Sequence, residues 1–305
     1  MSGRKKSKVL IVKTEERSRG IQTLLDNFGM KGFKARTVTL KANFNSADRF
    51  PASTHPDTVA TLVRSLKNAG AKKITLAERS GMGVTEEVVR DLGITDLSSS
   101  LGFDVSILDW VPEGGWILVK RPDNHWKRGF LFAKVFRDAD TIVQTCCLKT
   151  HRFGGHFTLS LKNSVGMVAK IDPLDGYDYM NELHSSPYQR LMIAEINREY
   201  KPSLVVLDGI EAFVSEGPDT GRVVRPDVIL AGEDRVALDA VAVGILRLFG
   251  TTPMVSKGKI FEQEQLARAV ELGVGAKSFE EIEIVPLGKP AEDFVKKLEE
   301  VLPRS

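Results

Sequence analysis

A basic, glycine-rich segment in the middle of the chain carries the side chains best suited to chemistry. Residues 148–166 read LKTHRFGGHFTLSLKNSVG. Within this segment Lys149, His151 and Lys162 stand close together, and neighbouring like charges repel one another unless an anion lies among them. Gly154 and Gly155 would allow the backbone to approach a ligand closely. The segment therefore predicts a site for a small anion, with a solvated basic loop as the alternative.

Polar residues at the ends of predicted strands extend this candidate site. Lys41 and Asn43 follow a strand that ends at Leu40, and Asp208 follows a strand that ends at Leu207. In open α/β sheets, ligands bind at the carboxyl ends of the strands. Lysines there would hold a carboxylate or phosphate, while a histidine such as His151 or His55 would move protons. The predicted ligand-binding residues are Lys41, Asn43, Lys149, Gly154, Gly155, Asn163 and Asp208.

Three further features have structural interpretations that compete with functional ones. The loop from Arg79 to Gly83 follows a strand and could hold an anion, but a plain tight turn is favoured. Asp239 lies in an apolar helix, so it needs a partner such as a lysine, an arginine or backbone amides, and a structural ion pair is favoured over catalysis. Asp234 is the predicted N-cap of that helix, and Thr54 or His55 that of the helix starting at the following proline.

The elements that position these residues alternate between strands and helices. Strands are predicted at residues 8–13, 35–40, 73–77, 105–108, 117–120, 141–145, 204–207, 228–231 and 281–286. Helices are predicted at residues 18–28, 56–69, 85–92, 188–200, 235–249, 261–272 and 291–301. Several strands are apolar nearly throughout, which is typical of strands covered on both faces. We expect an α/β fold with a largely parallel sheet layered with helices, in two lobes (1–140 and 141–305) around a cleft. Residues 146–187 form the least regular region.

Composition narrows the class of protein. The 305 residues include 43 Lys and Arg against 40 Asp and Glu, a net charge of +3 that predicts neither a nucleic-acid nor a membrane partner. The two cysteines, Cys146 and Cys147, are adjacent and too close to bridge each other, which favours a reducing, cytoplasmic protein. They are also too few for a self-contained iron–sulfur or zinc module. The basic start, which includes Arg4 and Lys5, is interpreted as a solvated end rather than a partner-binding arm.

The order of the motifs resembles a family known as domain of unknown function 362. The resemblance covers most of the chain and involves residues 40–45, 54–56, 148–151, 161–163, 208–210, 217–218 and 231–239. Ala42 stands where the family usually has proline. Many members of that family carry a ferredoxin-like cysteine module, which this chain lacks.

A second resemblance concerns the central segment. The spacing of His151, Gly155, Lys162 and Gly166 is similar to that in the cofactor segment of the nickel-pincer lactate racemases. The resemblance implies that Lys162 tethers a nicotinate-derived pincer, that His151 and His55 are catalytic bases, and that His184 is a metal ligand. The substrate would then be a hydroxy acid.

Three hypotheses follow. The chain is an enzyme or binding protein with a Lys/His-lined cleft for a small anion, or a racemase-like enzyme with a nickel-type or other metal cofactor. The third is a redox accessory module, in which Cys146 and Cys147 of two subunits of a homodimer hold an iron–sulfur cluster, or the chain docks onto a ferredoxin partner.

Overall fold

The computed structural model describes residues 6–302, and its centre is one large mixed β-sheet. The basic residues Arg4 and Lys5 lie outside this range. The strands are β1 (Ser7–Lys13), β2 (Thr37–Lys41), β3 (Lys73–Glu78), β4 (Asp104–Ile107), β5 (Trp116–Val119), β6 (Phe130–Ala133), β7 (Thr141–His151), β8 (His156–Thr158), β9 (Leu204–Phe213), β10 (Val223–Val224), β11 (Val228–Gly232) and β12 (Ile282–Pro286).

Helices separate most of these strands along the chain. They are α1 (Arg17–Phe28), α2 (Pro56–Asn68), α3 (Thr85–Asp91), α4 (Ile94–Leu101), α5 (Lys134–Arg137), α6 (Ser160–Asn163), α7 (Tyr179–Ser185), α8 (Gln189–Ile196), α9 (Arg235–Leu248), α10 (Pro253–Ser256), α11 (Glu264–Glu271) and α12 (Lys289–Glu299). None of the helices within residues 6–302 is both long enough and apolar enough to cross a bilayer.

The sheet has the order β12-β1-β11-β9-β7-β2-β3-β4, with β10 and β8 attached to β9 and β7. Strands β9, β7, β2, β3 and β4 run parallel to one another, whereas β11 is antiparallel to both β9 and β1. The predicted α/β class with a largely parallel sheet is confirmed. Because β1 lies between β11 and β12, both halves of the chain contribute to one sheet. The division into lobes 1–140 and 141–305 stays a prediction.

Alternating residues of the strands supply two apolar cores, one on each face of the sheet. In β1, Val9 and Ile11 pack with α9 on one face, while Leu10 and Val12 pack with α1 and α2 on the other. A third apolar cluster surrounds the small β5–β6 sheet. Coverage on both faces explains why these strands read as continuous apolar runs.

Both predicted N-caps are confirmed. His55 precedes Pro56 at the first position of α2, and its Nδ1 accepts a hydrogen bond of 3.1 Å from the Asp57 amide. The Asp234 carboxylate accepts bonds of 2.9 and 3.1 Å from the amides of Val236 and Ala237 at the start of α9. Each side chain satisfies amides that have no partner within the helix.

The predicted end of the central strand is wrong. Strand β7 continues through residue 151 rather than ending at Thr145, so part of the region expected to be irregular is buried strand. The apolar pattern underestimated the length of this strand because Lys149 and His151 interrupt the apolar run. Cys146 and Leu148 pack into the core, whereas the polar residues that alternate with them lie on the opposite face, so the strand keeps its period of two.

The pairing of β7 with its neighbour β9 is irregular, and the extra residues lie in β9. Cys147 pairs with Asp208, but the next residue, Leu148, pairs with Ala212, so β9 bulges by residues 209–211. Such a bulge bends the strand that carries the extra residues while its partner stays regular. The continuous alternation of β7 is therefore preserved up to the polar end of the strand.

Candidate functional site

A cleft of about 260 Å³ opens at the carboxyl ends of β2, β3 and β7. Lys41 is the last residue of β2, Glu78 the last of β3 and His151 the last of β7. The structure therefore places the cleft at the edge of the sheet where α/β proteins bind ligands. The sequence-predicted residues that line it are Lys41, Asn43, Lys149, His151, Lys162, Asn163 and His184.

Four other candidate residues do not line this cleft. His55 caps α2, and Asp208 accepts hydrogen bonds of 2.6 Å from Arg17 Nε and 2.8 Å from Thr58 Oγ1 beneath the same helix. Gly154 and Gly155 form the turn between β7 and β8. Gly155 still borders the site, because a Cβ atom there would lie 2.9 Å from both His151 Nδ1 and Lys162 Cε.

Lys162, on the short helix α6, is the most unusual group in the cleft. Its side chain is buried, with the residue only 7% exposed, yet its ammonium group makes no hydrogen bond or ion pair to any other residue in the range 6–302. Burial lowers its pKa to about 7, and the positive charges of Lys149 and Arg79 contribute further. Near neutral pH this amine is therefore divided between its charged and neutral forms.

Lys149 is fixed by backbone carbonyls rather than by a carboxylate. Its ammonium group donates to the carbonyl oxygen of Ala52 and, over 3.1 Å, to that of Pro218. Burial lowers its pKa to about 8. An ammonium group has three N–H donors, so one remains for a ligand.

Lys41 and Glu78 form a fully buried ion pair across adjacent strands. Lys41 Nζ also donates to the Ala42 carbonyl at 2.6 Å and to Asn163 Oδ1 at 3.3 Å. Burial lowers the pKa of Lys41 and raises that of Glu78, while their mutual attraction opposes both changes. Gly166 covers the pair, since a Cβ there would lie 2.7 Å from Lys41 Cε. The pair thus contributes little net charge to the cleft.

Two histidines at the cleft are neutral at pH 7. Burial, together with Lys162, lowers the pKa of His151 well below its usual value, and its Nδ1 has no hydrogen-bond partner in the described part of the chain. Burial followed by Lys162 also lowers the pKa of His184. His184 Nδ1 lies 2.7 Å from the Met180 carbonyl oxygen, so this nitrogen carries the proton and leaves Nε2 as an acceptor.

Sequence reasoning missed Glu78 as a site residue and interpreted Arg79 as part of a tight turn. The Arg79 guanidinium is buried and donates to the carbonyl oxygens of Val165 at 2.5 Å and Val168 at 3.0 Å. Both residues stand where a parallel strand ends, next to the end of β2. The rule that pointed to Lys41 applied equally to Glu78 and would have found it.

Asp239 holds the helix that carries Lys162. Its carboxylate accepts hydrogen bonds from the amide of Ser160 at 2.8 Å, the hydroxyl of Ser160 at 2.5 Å and the amide of Leu161 at 3.0 Å. The predicted need for a partner is confirmed, with amides and a hydroxyl in that role, and the favoured ion pair does not form among residues 6–302. Burial raises the pKa of Asp239 to about 7.

The charges of the cleft do not balance. Lys41 and Glu78 neutralise each other, whereas Arg79, Lys149 and the protonated form of Lys162 have no carboxylate partner in the described part of the chain. Carbonyl oxygens satisfy the hydrogen bonds of Arg79 and Lys149 but do not cancel their charge. The arrangement can therefore attract and hold an anion.

The fit of a metal-bearing cofactor depends on Lys162 and His184. The former offers an unpartnered amine for a covalent tether and the latter a bare imidazole nitrogen. Residues 6–302 contain no group of three or more His, Cys, Asp and Glu side chains that could hold a metal ion by themselves. The residues present therefore fit a tethered cofactor that brings its own metal ligands, rather than a metal centre built by the chain alone.

The two cysteines lie in the middle of β7 and are both fully buried. Burial raises the pKa of Cys147 to about 12 and that of Cys146 well above its usual value. Because the thiolate is the form that ligates iron, this environment disfavours the intersubunit cluster. The pair is part of the core beneath the cleft.

Comparisons with known proteins identify one similar protein by sequence and one by structure. The chain is 26% identical over 234 residues to thylakoid-associated protein sll1697 of Synechocystis sp., covering 75% of this chain and 69% of that protein. Among solved structures, it is similar to the lactate racemase apoprotein from Thermoanaerobacterium thermosaccharolyticum. The TM-score is 0.48 with 8% identity, over 95% of this chain and 85% of the other.

The family comparison agrees with the motifs found in the sequence. A family model described as domain of unknown function (DUF362) matches residues 38–244, a range that runs from β2 to α9 and contains every residue named above as lining the cleft. The family predicted from the motif order is thereby confirmed. The chain belongs to the DUF362 family.

Proposed function

We propose that this protein binds a small anionic molecule in the Lys/His cleft. The observation that carries the proposal is the ammonium group of Lys162, which is buried beside two other cations without a partner among residues 6–302. Such an arrangement is unfavourable unless an anion completes it, because burying an unpaired charge costs several kcal/mol. A ligand carboxylate or phosphate would supply that missing partner.

The size of the cleft limits the ligand. About 260 Å³ is below the roughly 300–1,000 Å³ typical of sites for drug-sized molecules. The neutral imidazoles of His151 and His184 add hydrogen-bonding groups without adding charge. A compact carboxylate or phosphate that carries a hydroxyl or carbonyl group matches this lining.

Isothermal titration calorimetry tests the proposal with lactate, pyruvate, oxalate and inorganic phosphate as probes at pH 7. Lys162→Met is the informative variant, because its ammonium group holds no other part of the fold, unlike Lys149. Lys120→Met, at an exposed position, is the matched control. We expect at least one probe to bind the wild type and the control, and binding to be lost in Lys162→Met. Equal binding by both variants, or binding of no probe, would contradict the proposal.

A second candidate function is that of a racemase-like enzyme acting on a hydroxy acid. Two neutral imidazoles and an unpartnered amine in one cleft favour it, because inversion at a carbon requires proton acceptors in suitable positions. A tethered nickel-bearing group would supply redox chemistry at the carbinol carbon when bound. Lys162 would attach it, His184 would contribute a nitrogen through Nε2, and His151 would exchange a proton through Nδ1.

The second candidate has its own test. Protein purified anaerobically from its native host would carry nickel by elemental analysis and an added mass on Lys162 by intact mass spectrometry. Peptide mapping would locate that mass. Native protein with neither nickel nor added mass would refute this candidate while leaving anion binding intact.

The proposal also covers the cellular location of the protein, its class of partner and its oligomeric state. The adjacent, unbridged cysteines support a reducing compartment, so we expect the protein in the cytoplasmic fraction. The small net charge supports a small-molecule partner rather than nucleic acid or a membrane surface. Cell fractionation tests the location, and light scattering tests the predicted homodimer.

A further inference from the structure

We propose that Lys162 forms a covalent imine with the carbonyl carbon of a small 2-oxo acid bound in the cleft. This inference rests on the proposed anion binding and adds to it a substrate class and a bond-forming step. It follows from three observations. The amine of Lys162 is buried and makes no hydrogen bond among residues 6–302, the positive charges of Lys149 and Arg79 lie beside it, and the neighbouring His151 Nδ1 has no hydrogen-bond partner in the same range.

The first observation is the state of the amine. A lysine attacks a carbonyl only as the neutral amine, with its lone pair free of hydrogen bonds. The Lys162 amine has no acceptor within residues 6–302, and it lines the cleft. Its pKa of about 7 leaves a large neutral fraction at physiological pH. The two other lysines of the cleft differ, because Lys41 is paired with Glu78 and Lys149 is bonded to two carbonyl oxygens.

The second observation selects a 2-oxo acid over a neutral aldehyde. Lys149 and Arg79 are the two charges that lower the pKa of Lys162, so both lie near its amine. Neither has a carboxylate partner among residues 6–302, and Lys149 retains one N–H donor. A ligand carboxylate held there would bring an adjacent carbonyl carbon close to Lys162.

The third observation supplies a group that can relay protons. His151 Nδ1 is buried without a hydrogen-bond partner among residues 6–302, and burial keeps the ring neutral. A Cβ atom added at Gly155 would lie 2.9 Å from His151 Nδ1 and also 2.9 Å from Lys162 Cε. The imidazole and the lysine are therefore neighbours separated by one glycine. Glycine at this position lets both side chains approach the backbone more closely than a Cβ atom would allow.

The step is balanced without an external oxidant or reductant. The lone pair of the lysine nitrogen forms a bond to the carbonyl carbon, and the electrons of the C=O double bond move to oxygen, which takes up a proton. The nitrogen loses both of its protons in turn: the first is the proton that the oxygen takes up, which gives a carbinolamine, and the second reaches the hydroxyl group, which leaves as water while the nitrogen lone pair forms the C=N bond. His151 Nδ1 accepts the proton lost by nitrogen and returns it to the departing oxygen.

Reductive trapping tests the inference. Purified protein is incubated with pyruvate and cyanoborohydride at pH 7 and at pH 8.5, and the products are analysed by intact mass and peptide mapping. With pyruvate at a saturating concentration at each pH, we expect one reduced pyruvate adduct on Lys162, formed faster at pH 8.5 because more of the amine is neutral. Lys162→Arg retains a positive charge but cannot form an imine, so it should give no adduct in that peptide. His151→Phe should slow trapping while the adduct stays on Lys162.

Lactate serves as the control that separates this inference from the proposed function. If lactate or pyruvate binds by calorimetry but pyruvate is not trapped on Lys162, the imine is refuted and anion binding stands. If adducts appear only on other lysines, and equally in Lys162→Arg, the imine is likewise refuted. If no anion binds and none is trapped, both proposals fail. Melting temperatures of the variants establish that each one is folded.

Discussion

Replacing Lys162 by methionine should make the protein more stable while abolishing anion binding. Methionine has a similar length and is apolar, so it suits a buried position where the native amine has no hydrogen-bond partner among residues 6–302. A residue that performs a structural role would show the opposite effect. The experiment therefore separates a functional lysine from one that supports the fold.

The magnitude follows from the difference in pKa between the folded and unfolded chains. The pKa of Lys162 is about 7 in the folded protein and 10.5 without perturbation. The unfolded chain therefore binds more protons between these values, and stability rises with pH across that window. At about 1.4 kcal/mol per unit, native Lys162 costs up to about 4 kcal/mol at pH 7 and about 2 kcal/mol less at pH 9. The groups that face it, Lys149, Arg79, His151 and His184, remain in the variant.

Urea unfolding at pH 7 and pH 9 measures both effects. Lys162→Met should gain up to about 4 kcal/mol in free energy of unfolding at pH 7, and its rise in stability toward pH 9 should be about 2 kcal/mol smaller than that of the wild type. Lys120→Met, the exposed control, should change by no more than about 0.5 kcal/mol. A loss of stability in Lys162→Met, or an unchanged pH dependence, would refute the argument that this amine is buried without a partner.

Three further predictions concern the surroundings of Lys162. The affinity for lactate should fall about tenfold per pH unit above pH 7, because the charged amine that attracts the carboxylate is lost there; calorimetry from pH 7 to pH 9 measures this. Asp239→Ala should destabilise the protein by about 2–4 kcal/mol in urea unfolding, because two amides and a hydroxyl lose their acceptor. Gly155→Ala should weaken lactate binding roughly tenfold or more, because the new Cβ would displace His151 or Lys162.

Each of these predictions has a control and a contradicting result. An affinity that stays constant until pH 10 would mean that Lys162 keeps an ordinary pKa. Asp239→Asn retains one acceptor oxygen and should lose less stability than Asp239→Ala; equal losses would argue against the hydrogen bonds as the cause. Gly114→Ala introduces a Cβ with no atom within 4 Å and should leave lactate binding unchanged. Unchanged binding in Gly155→Ala would show that this glycine does not shape the cleft.

The sheet and much of the cleft were predictable because local patterns and strand ends determine them. Apolar runs located β1, β9 and β11, and the rule that ligands bind at the carboxyl ends of strands brought Lys41 and Lys149 into one prediction. The length of β7 was not predictable from its apolar pattern, because its last residues are polar on the side that faces the cleft. Strand prediction from apolar residues fails where a strand carries the site itself.

The positions of His55 and His184 show a second limit. The resemblance to the lactate racemases made both residues candidates, but His55 is the N-cap of α2 and His184 lines the cleft from α7. Helix α7 is held at the cleft partly by a long-range contact that no local pattern encodes, since Arg79 Nη2 lies 3.1 Å from Met180 Sδ. Glu78 shows a third limit. It follows the strand-end rule, but its ion pair with Lys41 could be predicted only by knowing that β2 and β3 are neighbours in the sheet.

The position of β1 between β11 and β12 has a consequence for biosynthesis. Residues 7–13 leave the ribosome long before their two strand partners, which are residues 228–232 and 282–286. During translation both edges of this apolar strand stay unpaired until more than 200 further residues have been made, which exposes the strand to aggregation and to chaperones. The sheet is therefore expected to be completed only after residue 286 has left the ribosome, and truncation before residue 282 should yield protein that aggregates rather than folds.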